Sequence, residues 1–255
     1  MVTDRNPSRS SRRRRVAAVG LALAALSSTR PFAGTRLGGD DTGFVPPDAT
    51  AARCEDGVAT HVARFVGELI RCETRAADLA LQTLRFDEEG CEARARRRYV
   101  TAIGKFLGPP CPPCLKTADV GGAEATRALI EASVRLVYCS GTTALGADDP
   151  GYVPPDTGTA GCEGGVARHV AKLVAGLVHC HVRSADAPLS GAIFHEEACE
   201  DAAAEQYTAG TARLAGCPAC LHPGTVGVLA RAVVENNNRD VYCASPGGAF
   251  LEDGR

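Results

Sequence analysis

The stretch CEDGVATHVARFVGELIRC (residues 54–72) returns 108 positions later as CEGGVARHVAKLVAGLVHC (residues 162–180). On a helical wheel the apolar residues and both cysteines of each stretch fall on one face, as in an amphipathic helix. The pattern predicts a long helix over residues 52–78 and a matching helix that ends near Asp186, before Pro188 and Gly191. The positions on this face of the first helix are Cys54, Val58, His61, Val62, Phe65, Leu69 and Cys72.

The repeat extends well beyond this helix. Shifting the sequence by 108 residues aligns positions 40–104 with positions 148–212 without a gap, and 30 of these 65 pairs are identical. The remaining cysteines recur in the same order after short deletions. We interpret the chain as a duplication, with one module over residues 40–145 and a second over residues 146–255.

Two further helices are expected in each module. One begins near Glu88 and ends at Gly108-Pro109-Pro110, and a shorter one covers about residues 123–138. In the second module the run Asn236-Asn237-Asn238 should weaken the end of the corresponding helix. Aromatic residues make up only 5% of the chain, which favours closely packed helices over a β-sandwich. The predicted fold is all-α, with two tandem disulfide-stapled modules of about three antiparallel helices each.

The N-terminal sequence predicts export. Four arginines at positions 12–15 precede an apolar run over residues 16–26, a pattern typical of a signal peptide, which we assign to residues 1–27. Residues 28–39 should form a flexible N-terminal segment. The apolar run is too short to span a bilayer, so we expect a periplasmic or secreted protein without a transmembrane segment in the mature chain. Removal of residues 1–27 leaves 22 basic and 29 acidic residues, a net charge of −7 that argues against a nucleic-acid partner.

Twelve cysteines in an exported chain predict disulfides rather than metal sites. Cys54 and Cys72 lie about 27 Å apart along one helix, too far to pair with each other. The three-helix arrangement predicts a Cys72–Cys139 bond and a bond from Cys54 to Cys111 or Cys114. It leaves the other pairings open, including links between the modules. The disulfide candidates are Cys54, Cys72, Cys91, Cys111, Cys114, Cys139, Cys162, Cys180, Cys199, Cys217, Cys220 and Cys243.

Two alternatives give polar residues a chemical role. The sequences CPPC (residues 111–114) and CPAC (residues 217–220) have the spacing of redox-active pairs, although they follow a helix stop rather than a strand. His61 and His169 lie on the apolar helix face and could bind a metal, although a buried structural histidine is the commoner case.

No catalytic motif accompanies these residues. Glu88-Glu89 and Glu196-Glu197 recur at predicted helix starts, where acidic residues complement the helix dipole. The chain contains no nucleophile elbow, zinc-protease motif or phosphate-binding loop, and no C-x-x-C pair is followed by the histidine that covalent haem requires. We therefore predict no catalytic residue and no cofactor.

Several repeated motifs, namely F/Y-V-P-P-D, C-E-x-G-V-A-x-H-V-A and V-Y-C, resemble those of secreted, cysteine-patterned helical repeat proteins encoded in deltaproteobacterial genomes. The resemblance spans about residues 40–245 and implies export and repetition, but no activity. The favoured function is a non-enzymatic extracytoplasmic structural or binding protein that presents a surface or inter-module groove to a protein or cell-envelope partner. The alternative is a periplasmic thiol–disulfide or metal-handling protein that uses the C-x-x-C pairs and the nearby histidines.

Overall fold

The computed structural model describes residues 42–146 and 149–244, which belong to one compact unit. We call these two ranges the first half and the second half. The predicted signal peptide (1–27) and flexible segment (28–39) lie outside the described residues. No helix in this part of the chain is long and apolar enough to cross a membrane. Its six α-helices are α1 (Ala49–Leu81), α2 (Glu88–Ile103), α3 (Val120–Val137), α4 (Thr157–Ser190), α5 (Glu196–Thr211) and α6 (Pro223–Asn237).

Short 3-10 helices follow α2 and α6 and precede α3, and an isolated β-bridge pairs Ala144 with Tyr152. They cover Gly104–Phe106, Pro113–Ala118 and Asn238–Asp240. The prediction of an all-α protein with disulfides is confirmed for the described residues.

Helix α1 begins three residues before its predicted start because Asp48 caps it. The Oδ1 atom of Asp48 accepts the backbone N–H groups of Thr50 (2.8 Å) and Ala51 (2.9 Å). These groups would otherwise lack partners in the first turn of the helix. Asp156 caps α4 in the same way. The Val-Pro-Pro-Asp motif therefore ends each linker and starts each long helix.

The predicted end of α4 near Asp186 is wrong, since the helix continues through Pro188 to Ser190. A proline lacks the N–H group that would bond to the preceding turn. The turn that contains Pro188 is closed by the N–H groups of Gly191 and Ala192, which donate to the carbonyls of Pro188 (3.1 Å) and Ala187 (2.9 Å). The helix ends at Gly191, whose φ of +68° is the left-handed conformation that terminates many helices.

Helix α6 keeps its helical conformation further into the asparagine run than its composition suggests. It extends to Asn237 before the chain tightens into a 3-10 turn. The side-chain amides of Asn236 and Asn237 donate to the carbonyl oxygens of Ala232 and Val233, each at 2.7 Å. The predicted weakening is therefore confined to the last turn.

Helices α1 and α4 make the most extensive helix–helix contact and form the centre of the fold. Val66 and Ile70 of α1 and Ala167 and Val174 of α4 are buried in one apolar cluster. The shorter helices of each half pack on the long helix of that half. The α1–α4 pair therefore joins the two halves through a shared core.

The chain segments that precede α1 and α4 each pair with the end of the opposite half. The N–H group of Phe44 donates to the carbonyl of Tyr242 (3.0 Å), near the end of the second half. The N–H group of Tyr152 donates to the carbonyl of Tyr138 (2.9 Å), near the end of the first half. The two halves therefore exchange matching contacts.

Candidate ligand cavity and buried carboxylate clusters

All twelve cysteines lie in the described residues and none is free. Four disulfides join cysteines of the same half, and two join one half to the other. Cys54 pairs with Cys111, one of its two predicted partners. Six disulfides are typical of an oxidising, extracytoplasmic compartment. The bonds are Cys54–Cys111, Cys72–Cys91, Cys114–Cys243, Cys139–Cys220, Cys162–Cys217 and Cys180–Cys199.

The predicted Cys72–Cys139 bond is wrong. A short link joins α1 to α2, which runs back along α1 and brings Cys91 beside Cys72. Tyr138 contacts α1 close to Cys72, since its hydroxyl lies 3.1 Å from the Oγ1 atom of Thr74. Cys139 follows Tyr138 out of α3 and bonds to Cys220 in the other half.

The cysteines within each C-x-x-C sequence belong to different disulfides. In residues 111–114 the first cysteine bonds within its half and the second bonds to Cys243. In residues 217–220 the first bonds to Cys162 and the second to Cys139. A redox-active pair cycles through a disulfide between its own two cysteines. Here each sequence instead connects a half to its partner.

The candidate metal ligands His61 and His169 lie in separate, partly buried positions. The ring of His61 is 6.1 Å from that of Phe106. Burial, followed by nearby basic side chains, lowers the pKa of both histidines. The described groups of three or more potential metal ligands include neither residue. The basic side chains near each histidine would also repel a cation. Among the described residues, neither histidine therefore belongs to a group of potential metal ligands.

An apolar cavity of about 490 Å³ lies between the halves. Its walls come from α1, α3, α4 and α6, in matched positions such as Val62 with Val170 and Val66 with Val174. A cavity of this size with mostly apolar walls and a few polar groups is the usual form of a small-molecule site. Three exposed leucines form part of its lining, namely Leu129, Leu136 and Leu229.

Three carboxylates of the first half meet beside this cavity. Glu73 of α1 and Glu88 and Glu92 of α2 place oxygen atoms within 4.8 Å of one another. Glu92 also contacts Arg127, whose Nε atom lies 2.5 Å from its Oε2 atom. Burial, followed by the negative charges of Glu88 and Asp149, raises the pKa of Glu73 well above its usual range. Burial also raises the pKa of Glu88 and of Glu92, so in the folded protein these carboxyls keep their protons to a higher pH than a free glutamate does.

The second half has a histidine at the position that Glu73 takes in the first half. The Nε2 atom of His181 lies 2.7 Å from Oε1 of Glu200 and 4.0 Å from Oε1 of Glu196, and all three residues are buried. Arg231 contacts Glu200 at 2.9 Å, much as an arginine contacts the carboxylate cluster of the first half. The main difference is that an imidazole, which can carry a positive charge, replaces one carboxylate.

Two more buried carboxylates connect the halves. The Oε1 atom of Glu55 accepts the N–H groups of Cys243 and the next residue, at 2.8 and 2.7 Å. The Oε1 atom of Glu163 accepts those of Cys139 and the next residue, at 3.1 and 3.0 Å. Burial outweighs these hydrogen bonds and raises the pKa of each carboxyl to about 7. The cysteine sulfurs nearby are in disulfides, so they are not thiolate ligands for a metal.

The acidic residues that begin α2 and α5 do more than complement a helix dipole. Glu88 and Glu92 are four residues apart, as are Glu196 and Glu200, so each pair shares a helix face. The pair in the second half repeats the pair in the first half 108 positions later. This shared spacing is the sequence signal that could have predicted the clusters. The third member of each cluster comes from another helix and differs between the halves, so no local pattern indicates it.

No protein-family model, curated protein or solved structure matches the chain. The comparisons therefore identify no family, and the resemblance to deltaproteobacterial repeat proteins is supported only in its general character. The class that the fold and its cross-links define is a disulfide-rich, all-helical protein.

Proposed function

We propose that the protein is a non-enzymatic, periplasmic or secreted binding protein made of two fused copies of one helical module, and that the cavity between the copies holds a small apolar molecule. The observation that carries this proposal is the cavity of about 490 Å³ with apolar walls from both halves. The six disulfides and the signal-peptide pattern of residues 1–27 support the extracytoplasmic location.

The shape of the cavity favours a small molecule over a protein partner. Its inner wall includes Val66, Val134 and Val174, which are buried in the core. A stable protein interface needs a complementary surface of about 1,000 Å² or more, whereas a small apolar molecule can enter a partly open cavity of about 490 Å³. At the outer end, Leu129 and Leu229 are 38% and 43% exposed. A ligand that covered these leucines would remove apolar surface from water, at about 25 cal/mol per Å².

The disulfides between the halves support the same function. Cys114–Cys243 and Cys139–Cys220 link the two halves, whose helices form the cavity walls. A cavity that is already formed before binding needs less ordering when the ligand enters, which favours affinity. We therefore expect binding without a large change in helix content.

The test is a titration of the oxidised protein with a dansyl-labelled fatty acid, whose fluorescence rises when the label leaves water. The wild-type protein should give saturable binding of one probe molecule per chain. Ser133→Trp should weaken binding at least about tenfold, because Ser133 lines the cavity and an indole would occupy part of its volume. Leu129→Lys should also weaken binding, because it places a charge in the exposed lining.

The matched control is Leu189→Lys. Leu189 is also exposed, at 39%, but it does not line the cavity. This variant should bind the probe like the wild type, and far-UV circular dichroism should show the same helix content in all variants. Absence of saturable binding to the wild type would contradict the proposal. So would equal affinities of Ser133→Trp and the wild type.

A further inference from the structure

Each cluster has an arginine against one of its carboxylates, Arg127 against Glu92 in the first half and Arg231 against Glu200 in the second. The first half has a third carboxyl, Glu73, where the second half has His181. Glu73, Glu88 and Glu92 bring oxygen atoms within 4.8 Å of one another. Glu88 and Glu92 are one helical turn apart on α2, and Glu73 approaches from α1, next to the Cys72–Cys91 disulfide that fixes these two helices together. The three groups are therefore held together by the fold and by a covalent bond.

Apart from the neighbouring carboxyl of Glu88, the buried carboxyl of Glu73 has no polar partner in the described part of the chain. Its side chain is only 2% exposed, and neither of its two carboxylate oxygens receives a hydrogen bond from an N–H or hydroxyl group. The Oε1 atom of Glu88 is also buried without such a donor. An ionised carboxylate in such a place costs several kcal/mol unless a cation or a set of donors compensates its charge.

A fourth carboxylate lies at the edge of this cluster. A methyl group built on Gly146 would lie 2.8 Å from Oδ2 of Asp149 and 3.0 Å from Oε2 of Glu88. The absence of a side chain at Gly146 therefore leaves room for both carboxylates at this point. Asp149 is 8% exposed, so it adds a further nearly buried negative charge.

The second half supplies an internal comparison. There the position of Glu73 is taken by His181, whose Nε2 atom lies 2.7 Å from Glu200. An imidazole at that place can offset one of the two carboxylates beside it when it is protonated, and Arg231 contacts Glu200 at 2.9 Å. The first half has a carboxylate instead, which adds a negative charge where the second half can place a positive one.

We propose that Glu73, Glu88 and Glu92, with Asp149 beside them, form a binding site for one divalent cation of the oxygen-preferring class, such as calcium or manganese. Carboxylate oxygens are the ligands that these hard cations prefer, and the set contains no sulfur or nitrogen ligand that would favour a softer metal. The two halves would then differ in how they balance a shared arrangement, by a bound cation in the first half and by a histidine in the second. Glu73 also lines the apolar cavity, but neither proposal requires the other.

The experiment is isothermal titration calorimetry of the full oxidised protein after treatment with a chelator. Calcium, manganese and zinc chlorides are titrated separately. We expect one calcium or manganese ion per chain. Glu73→Gln should lower the affinity at least about tenfold, since the charge of the ligand set tunes affinity. Glu73→His copies the second half and should abolish binding while the helix content is preserved.

The matched control is Glu196→Gln, which alters the residue of the second half that corresponds to Glu88. It should leave cation affinity unchanged, whereas Glu88→Gln should weaken it. Lack of calcium or manganese binding by the wild type would overturn the proposal, as would binding of zinc alone. Unchanged affinity in Glu73→Gln, or equal loss in Glu196→Gln and Glu88→Gln, would also overturn it.

Discussion

Removal of the Cys139–Cys220 disulfide should destabilise the fold without dividing it into independent parts. With the other disulfides intact, this bond closes a ring that runs 23 residues from Cys139 to Cys162, crosses to Cys217 and continues 3 residues to Cys220. The loop-entropy relation for a ring of about 26 residues gives about 3.5 kcal/mol at 25 °C. The double variant Cys139→Ser, Cys220→Ser tests this without leaving a free thiol.

Guanidinium unfolding, followed by far-UV circular dichroism at constant pH and without reductant, measures this loss. The matched control is Cys72→Ser, Cys91→Ser, which opens a ring of 19 residues inside the first half and should lose about 3 kcal/mol. Both variants should unfold in one transition, because α1 and α4 share a core. A loss below about 1 kcal/mol, or two transitions in the cross-half variant, would refute this reasoning.

Stability should fall as the pH rises from about 5 to about 8. Glu55 and Glu163 have folded-state pKa values of about 7, against 4.5 when unfolded. Their contribution to the free energy of unfolding is therefore complete below the unfolded-state pKa of 4.5. It is lost as the pH rises through the folded-state pKa of about 7. The guanidinium midpoint should change less with pH in Glu55→Gln than in the wild type. An equal dependence on pH in both proteins would contradict the assignment of part of this effect to Glu55. Separately, residues 40–145 expressed alone should form a disulfide-linked homodimer, since Cys114 and Cys139 would each find the other in a second copy. Sedimentation and non-reducing electrophoresis test this, and a folded monomer would contradict it.

The helices could be predicted from the sequence because their signals are local. The apolar period of α1 depends on residues within a few positions of each other. The cap at Asp48 is local too, but the predicted start at residue 52 missed it, and α2 ends at Ile103, before the predicted stop at Gly108-Pro109-Pro110. The predicted helix ends were wrong where a cap or a closing turn outside the apolar pattern decides where the helix begins or ends. In α4 the helix continues through Pro188 and ends only at Gly191, where the N–H groups of Gly191 and Ala192 close the last turn.

The disulfide pairing and the clusters depend on long-range geometry that one sequence does not contain. An odd number of cysteines at each end of a half indicated that one would need another partner, but not that Cys139 would take Cys220 rather than Cys72. In the same way, the acidic pair Glu88 and Glu92 was visible in the sequence. The approach of Glu73 from another helix could be seen only after the chain was folded.

The exchanged contacts also explain why neither half is complete alone. Glu55 is fully buried, and both of the N–H groups that its Oε1 atom accepts come from the end of the second half. Glu163 depends in the same way on the end of the first half. An isolated half would leave its carboxyl without these donors, which costs about 1–3 kcal/mol for a buried group. The same chain ends form the two disulfides between the halves, so each half finds its polar and covalent partners in the other. The cavity lies between these halves, and a molecule held there would be bound by the closed pair rather than by either half.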